Sequence, residues 1–137
     1  MRVILDTNVL VAALMTKGTP PDRLYEAWRE GRLVLLTAEQ QLEELRRVTR
    51  RLGVRLRINP AEAGRMVNDL RGAATVVGQL PAVDVSADPY DNFLLALAQA
   101  GRADLLVSGD RRGLLSIEVH QGTRIVTARA AVDMVGG

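Results

Sequence analysis

Five short runs of mostly apolar, strand-forming residues recur along the chain, separated by amphipathic segments or segments that begin with capping residues. Such runs, bounded by polar or turn residues, are typical of buried β-strands. We predict strands at residues 3–5, 33–36, 74–77, 105–107 and 124–127. Because continuously apolar strands alternate with helices, the pattern predicts an α/β fold whose parallel sheet is covered by helices on both faces.

Turn and capping residues delimit the helices between these strands. Thr37 fits the N-cap position of one helix, and Gly53 ends it. Pro89 fits the first turn of a strongly apolar helix, and Gly101 fits its C-cap. The helices are predicted at residues 9–14, 22–29, 38–52, 61–72 and 89–100 and from residue 128 onward.

The 137 residues fit one domain, residues 1–137, without repeats or linkers.

Two acidic residues follow predicted strands. Right-handed crossovers bring the carboxyl ends of parallel strands to one edge of the sheet, where α/β proteins usually place their chemistry. Asp6 and Asp110 are therefore expected at that edge. Asp6 has an alternative role, since aspartate often caps the helix after a strand.

A third acid is selected by helical periodicity. At 100° per residue, the apolar residues of the helix at 38–52 share one stripe, and Glu44 lies about 85° from its centre, at the border between core and solvent. Glu39 and Glu43 lie farther from the stripe. Glu44 is therefore the glutamate best placed to face the edge of the sheet. The alternative is a border glutamate paired with a neighbouring arginine.

The start of the predicted helix at 89–100 carries two more acids. Asp88 suits the N-cap and Asp91 lies in the first turn, so capping alone explains both. However, residues 93–98 are apolar all round, so the helix is expected to be buried and its start enclosed. A buried carboxylate needs a partner. A divalent cation could neutralise acids at the strand ends, the helix border and this helix start together.

Composition narrows the chemistry further. The chain has no cysteine and one histidine, His120, so zinc–thiolate sites, disulfides and paired-histidine catalysis are excluded. Oxygen ligands alone favour hard ions, Mg²⁺ or Mn²⁺. No apolar run is long enough to cross a bilayer, and Asp6 and Asn8 interrupt the apolar N-terminus, unlike a signal peptide. We therefore expect a cytoplasmic protein without a membrane partner.

The basic residues are nearly all arginine, and six of them fall within residues 46–57, although the net charge is only +2. Such a stripe can contact phosphates or can simply be a solvated helix face, and the sequence leaves both open. Aromatic residues are scarce, so a platform that stacks successive bases is not expected.

Four blocks of the sequence together resemble the PIN domain family: residues 1–10 (MRVILDTNVL), 44–48 (ELRRV), 88–98 (DPYDNFLLALA) and 106–110 (LVSGD). The chain is most similar to the branch of toxins from type II toxin–antitoxin pairs, relatives of the VapC ribonucleases. The resemblance implies a three-layer α/β/α sandwich with a Rossmann-like central parallel sheet, and a metal-dependent ribonuclease.

The resemblance also implies roles for individual residues. The family's catalytic and metal-binding acids match Asp6, Glu44, Asp91 and Asp110. The supporting polar groups match Thr7, Asn8 and Ser108, with Asp88 as an extra acid or helix cap. Arg111 and Arg112 are close enough in sequence to contact a bound RNA phosphate. The implied partners are an RNA substrate, an antitoxin protein and a second copy of the chain.

Two other functions compete with the ribonuclease. A haloacid-dehalogenase-like phosphoryl-transfer enzyme usually has a second aspartate two residues after its nucleophile, where this chain has Asn8, and a catalytic lysine, where this chain has only Lys17. A non-catalytic module could keep the fold and bind RNA or protein. The presence of all four acids favours the enzyme.

Overall fold

A computed structural model describes residues 1–136, which form six strands and seven helices. The strands are β1 (Arg2–Leu5), β2 (Val34–Thr37), β3 (Thr75–Val76), β4 (Leu105–Val107), β5 (Val119–His120) and β6 (Thr123–Val126). The helices are α1 (Thr7–Met15), α2 (Pro20–Arg29), α3 (Glu39–Leu52), α4 (Pro60–Ala73), α5 (Pro89–Gly101), α6 (Leu114–Ile117) and α7 (Ala128–Met134). All five predicted strands and all six predicted helices are present.

The strands form one sheet in the order β3-β2-β1-β4-β6-β5. Every neighbouring pair is parallel except β5 with β6. Side chains of successive residues point to opposite faces of a strand, and this separates the two halves of the core. Val3 and Leu5 pack with helices α1 to α4 and α7, whereas Ile4 packs with α5 and α6. The predicted sandwich with helices on both faces is therefore confirmed.

The sheet is mostly parallel, as predicted, and one edge strand differs. β5 runs antiparallel to β6 and joins it through Gln121 and Gly122, both with positive φ (47° and 85°). Two positive φ values in a two-residue connection are typical of a tight hairpin. With two residues, β5 has no apolar run that could indicate it. The four-residue helix α6 was also not predicted.

Several helix ends differ from the predictions. Thr37 is not an N-cap but the last residue of β2, where its hydroxyl donates to Gln41 Oε1 at 2.7 Å; Ala38 occupies the cap position. Gly101 is not the C-cap of α5 but its last helical residue, and Arg102 takes the left-handed cap conformation with φ 52°. Glycine at 101 serves packing instead, since a Cβ there would lie 2.8 Å from Leu36 Cδ1.

No helix among residues 1–136 combines the length and apolar character needed to cross a lipid bilayer.

Candidate active site

The centre of the candidate site lies where β1 and β4 end side by side. Leu5 pairs with Val107 across the two strands, so Asp6 and Ser108 are neighbours at the carboxyl edge of the sheet. The Asp6 backbone N–H donates to Val107 O at 2.8 Å, and the Ser108 hydroxyl donates to Asp6 Oδ2 at 2.9 Å. Both side chains are buried. Asp6 occupies the N-cap position of α1 without a side-chain capping hydrogen bond of good geometry, although the backbone N–H groups of Thr7 and Asn8 lower the pKa of its carboxyl.

The start of α5 supplies the next acid and separates two roles that the sequence left open. Asp88 caps the helix, since its Oδ1 accepts from the Tyr90 backbone N–H at 2.9 Å. Asp91 is buried in the first turn, and its Oδ2 accepts from the Ser86 hydroxyl at 3.2 Å. With the cap position taken by Asp88, the carboxylate of Asp91 is left to face the sheet edge.

Asp110 reaches the same region from the loop after β4. Its backbone N–H donates to Ser108 Oγ at 3.1 Å, and its Oδ1 accepts from the Gly113 N–H at 3.0 Å. A Cβ on Gly113 would collide with Asp110 Oδ2 and would stand 3.0 Å from Asp91 Oδ2. The two carboxylates therefore flank one small space, which is open because residue 113 has no side chain.

Glu44 lies at the border that its helical position predicted, with a quarter of its side chain exposed. Both carboxylate oxygens accept from Arg47, at 2.6 Å from Nη2 and 3.1 Å from Nε. The predicted border position and its alternative, a pair with a neighbouring arginine, are thus both observed. In this conformation Glu44 is held by a cation of the chain itself.

The aspartates at the edge influence one another. Burial raises the pKa of the Asp6 carboxyl, the Ser108 hydroxyl opposes this effect, and the negative charge of Asp91 adds to it. Burial also raises the pKa of Asp91, against the hydrogen bond from Ser86. The charges of Asp88 and Asp110 raise that pKa further. Such mutual repulsion indicates a site of concentrated negative charge.

The remaining polar residues of the motifs fall into two groups. The Thr7 and Tyr90 hydroxyls are hydrogen-bonded at 2.6 Å, which ties the start of α1 to the start of α5. Burial raises the pKa of Tyr90, and the charges of nearby Asp6 and Glu44 raise it further. Asn8, Arg111 and Arg112 are exposed. The two arginines directly follow Asp110, at the open side of the site.

The ligand atoms and the negative charge of the three aspartates suit a hard divalent cation. Asp6, Asp91 and Asp110 offer only oxygen ligands, and no Arg, Lys or His side chain among residues 1–136 forms an ion pair with any of them. Within the same residues, no three Asp, Glu, His or Cys side chains are arranged to hold one metal ion. The structure thus brings neighbouring aspartates together in pairs at the carboxyl edge of the sheet. That the three bind one ion together stays a prediction.

Sequence reasoning missed three residues that shape this site, Ser86, Tyr90 and Gly113, and it expected an arginine partner for Glu44 without identifying Arg47. Tyr90 stood inside a recognised motif, between Asp88 and Asp91, and Arg47 stood one helical turn after Glu44. These spacings were available signals. Ser86 and Gly113 lie in irregular segments whose path depends on tertiary contacts, and no sequence signal identified them.

Comparison with known proteins agrees with this architecture. Residues 2–112 match the family model of the PIN domain. The crystal structure of PAE2754 from Pyrobaculum aerophilum is similar, with a TM-score of 0.66 and 19% sequence identity over 99% of this chain and 90% of that chain. At this identity the likeness concerns the fold alone. No curated protein sequence matches the chain. With the matched segment spanning β1 to the loop after β4, the chain belongs to the PIN domain family, whose fold is that of nucleases that generally depend on divalent metal ions.

Proposed function

We propose that this protein is a Mg²⁺- or Mn²⁺-dependent ribonuclease that hydrolyses phosphodiester bonds in RNA. The observation that carries the proposal is the set of three aspartates, Asp6, Asp91 and Asp110, at the carboxyl edge of the sheet without an ion-pairing cation among residues 1–136. Asp6 and Asp91 are buried, whereas Asp110 is exposed. A buried carboxylate without a positive partner is unfavourable, and a bound cation would offset that cost. The choice of RNA as the substrate follows the resemblance to the toxin branch.

The proposed metal ligands are the three aspartates, with Glu44 as a direct or water-mediated fourth ligand. When bound, one or two ions supply an activated water and stabilise charge on the attacked phosphate and the leaving oxygen. Ser108 and Ser86 fix the orientations of Asp6 and Asp91 through their hydrogen bonds. Glu44 can bind the metal directly only after its carboxylate separates from Arg47. While the two remain paired, Glu44 can act only through a water ligand of the metal.

Other residues would position the substrate and close the site. The hydrogen bond between buried Thr7 and partly buried Tyr90 joins the starts of α1 and α5, and we expect this pair to limit the access of water from that side. Arg111 and Arg112 are exposed beside Asp110, where they can contact the phosphate that enters the site. Asn8, exposed next to Thr7, would contact substrate or a water ligand.

The biological role that we propose is that of a toxin in a type II toxin–antitoxin pair. The support is the resemblance of the acidic motifs to that branch. In this role, the protein acts in the cytoplasm, forms a homodimer and is silenced by an antitoxin protein that covers the acidic edge.

A defined panel of RNA oligonucleotides, incubated with Mg²⁺, with Mn²⁺ and with EDTA, tests the enzymatic proposal. We expect cleavage with either metal and none with EDTA. Asp6→Asn is the inactive variant, and Asp133→Asn, exposed on α7, is the matched control. Cleavage by purified Asp6→Asn at the rate of the control would end the proposal.

A non-catalytic RNA- or protein-binding module is the second candidate, because Glu44 is paired with Arg47 and no three acids among residues 1–136 already form a metal-binding group. Absence of metal-dependent cleavage together with EDTA-insensitive RNA binding would favour it. The haloacid-dehalogenase-like alternative has no support in the structure. Lys17 pairs with Asp22 beyond the end of α1, about 13 Å of helix away from Asp6.

A further inference from the structure

Most of the exposed arginines of α3 form no ion pair with an acid of the described chain. Arg29, Arg32 and Arg71, on other elements, pair with Asp69, Glu30 and Glu39. On α3, only Arg47 of the four exposed arginines forms such a pair among residues 1–136, with Glu44. The other three are Arg46, Arg50 and Arg51. Like charges four residues apart on a helix repel each other, so this face favours an anionic ligand.

These side chains surround one feature of the surface. Arg46, Arg47, Arg50 and Arg51, with Glu43 as the single acid, line a shallow depression of about 410 Å³. At 100° per residue, Glu44, Arg47 and Arg51 follow one stripe of the helix. The stripe extends for about 10 Å along the axis, a length that a few phosphates of an extended strand can cover.

The depression adjoins Glu44, because Arg47, which lines the depression, is hydrogen-bonded to that carboxylate. Arg47 holds Glu44, and the same two side chains act electrostatically on Tyr90, whose hydroxyl is bonded to Thr7. Arg47 and the arginines of the next helical turn therefore lie beside Glu44, within electrostatic range of Tyr90. On the Glu44 side of the acidic site these arginines would supply positive charge to a bound polyanion, as Arg111 and Arg112 would beside Asp110.

We infer that Arg47, Arg50 and Arg51 form a phosphate-binding track that holds single-stranded RNA next to the acidic site, an inference that rests on the proposed ribonuclease. The arginine fork binds phosphate oxygens in pairs. No aromatic side chain lines the depression, so the track binds the backbone and not the bases. The bond of Arg47 to Glu44 places the track beside a proposed site residue, which favours the substrate over an acidic protein segment, since such a segment needs no position near the catalytic acids.

Binding of a 12-nucleotide RNA is measured by fluorescence anisotropy in EDTA, where the proposed nuclease does not cleave, over a series of salt concentrations. Asp6→Asn protein repeats the measurement in Mg²⁺ with catalysis removed. The double variant Arg50→Gln/Arg51→Gln removes two charges from the track. We expect it to bind on the order of tenfold more weakly at 0.1 M salt, with a salt slope smaller by about 0.7 for each phosphate that the variant no longer neutralises.

Two further variants serve as controls. Arg65→Gln/Arg129→Gln removes the same net charge at exposed positions on α4 and α7 and should bind like the wild type. Arg50→Lys/Arg51→Lys keeps the charge and should retain most of the affinity. All variants should melt at the wild-type temperature, because the substituted side chains are exposed. In cleavage assays, KM for the 12-mer should rise in the Gln double variant while kcat stays the same.

The possible outcomes test the proposed track and the proposed ribonuclease activity independently. Equal affinity and salt slope for Arg50→Gln/Arg51→Gln and Arg65→Gln/Arg129→Gln would overturn the track. Wild-type protein that binds poly-L-glutamate of equal charge and does not bind the RNA would also overturn it, in favour of an acidic protein partner. Track-dependent RNA binding without any cleavage would support the track and reject the ribonuclease.

Discussion

The Ser108 hydroxyl donates a buried 2.9 Å hydrogen bond to the Asp6 carboxylate across the ends of the adjacent strands β4 and β1. This bond exists because the register of the two strands places the residues side by side. It fixes the orientation of a carboxylate that has no cationic partner among residues 1–136. A buried acid at the centre of the site is thereby held in one orientation in advance of any ligand.

Replacing Asp6 by Asn should separate activity from stability. Loss of a proposed metal ligand should lower the cleavage rate by more than the roughly 10- to 100-fold typical of outer-shell changes. The melting temperature in EDTA should rise by a few degrees, because the buried charge and its repulsion by Asp91 are removed. RNA cleavage and thermal unfolding of Asp6→Asn and Asp91→Asn, beside Asp133→Asn, measure both effects. A variant that loses both activity and stability would indicate a structural role instead.

The gain in stability should depend on pH in a defined direction. Since the folded-state pKa of Asp6 lies above its ordinary value of 3.8, the ionised form is disfavoured in the folded protein. The cost is complete at neutral pH, decreases as pH falls through the folded-state pKa, and is absent below 3.8. The difference in melting temperature between wild type and Asp6→Asn in EDTA should therefore decrease as the pH is lowered from 7 to below 3.8. A difference that stays constant with pH would contradict the raised pKa.

Divalent metal should stabilise the folded protein. Millimolar Mg²⁺ or Mn²⁺ that binds the native state alone relieves the repulsion among Asp6, Asp91 and Asp110. Binding at 100 times the dissociation constant adds about 2.7 kcal/mol, equivalent to several degrees for a chain of this size. Calorimetry with and without metal at constant ionic strength measures the shift. The same shift in Asp91→Asn would locate the metal elsewhere.

Gly101 offers a test of the packing between α5 and the sheet. A Cβ at this position would lie 2.8 Å from Leu36 Cδ1 and 3.4 Å from Val77 Cγ2. Gly101→Ala should therefore destabilise the protein by about 1–3 kcal/mol through overpacking. Gly64→Ala, in α4 with open space around the new methyl group, should stabilise it by about 0.5–1 kcal/mol. Urea unfolding compares the two, and a neutral Gly101→Ala would show that Leu36 moves freely.

Three of the acids could be located from the sequence by simple geometry. A parallel strand order places Asp6 and Asp110 at the carboxyl edge, and helical periodicity selects Glu44 over Glu43. The sequence could not distinguish Asp88 from Asp91, because both suit the first turn of α5. The structure distinguishes the two, because Asp88 is the residue that caps the helix. The sequence offered an arginine pair as one alternative for Glu44, and the choice between that pair and a free carboxylate depends on local competition between neighbouring charges.

The limits of the fold prediction have a similar origin. The central strands are apolar on both faces, so burial alone indicates them. The hairpin of β5 and β6 depends on two positive-φ residues, Gln121 and Gly122, and on pairing with an edge that forms only in the folded chain. Ser86 reaches Asp91 from an irregular segment. Asn92 fixes the course of that segment, because its Oδ1 accepts from the Val85 and Ser86 N–H groups at 3.0 and 2.8 Å.

Gly113 provides the most direct test of the space between Asp91 and Asp110. An Ala methyl group there would displace the Asp110 carboxylate and stand 3.0 Å from Asp91 Oδ2. Because the displaced group is the exposed end of a side chain, stability should change little, whereas cleavage should fall at least roughly tenfold. Gly109→Ala is the matched control in the same loop, since its methyl group meets nothing within 4 Å. If both variants cleave RNA at the same rate, neither metal nor substrate occupies this space, and the acids of the site must act from its other side.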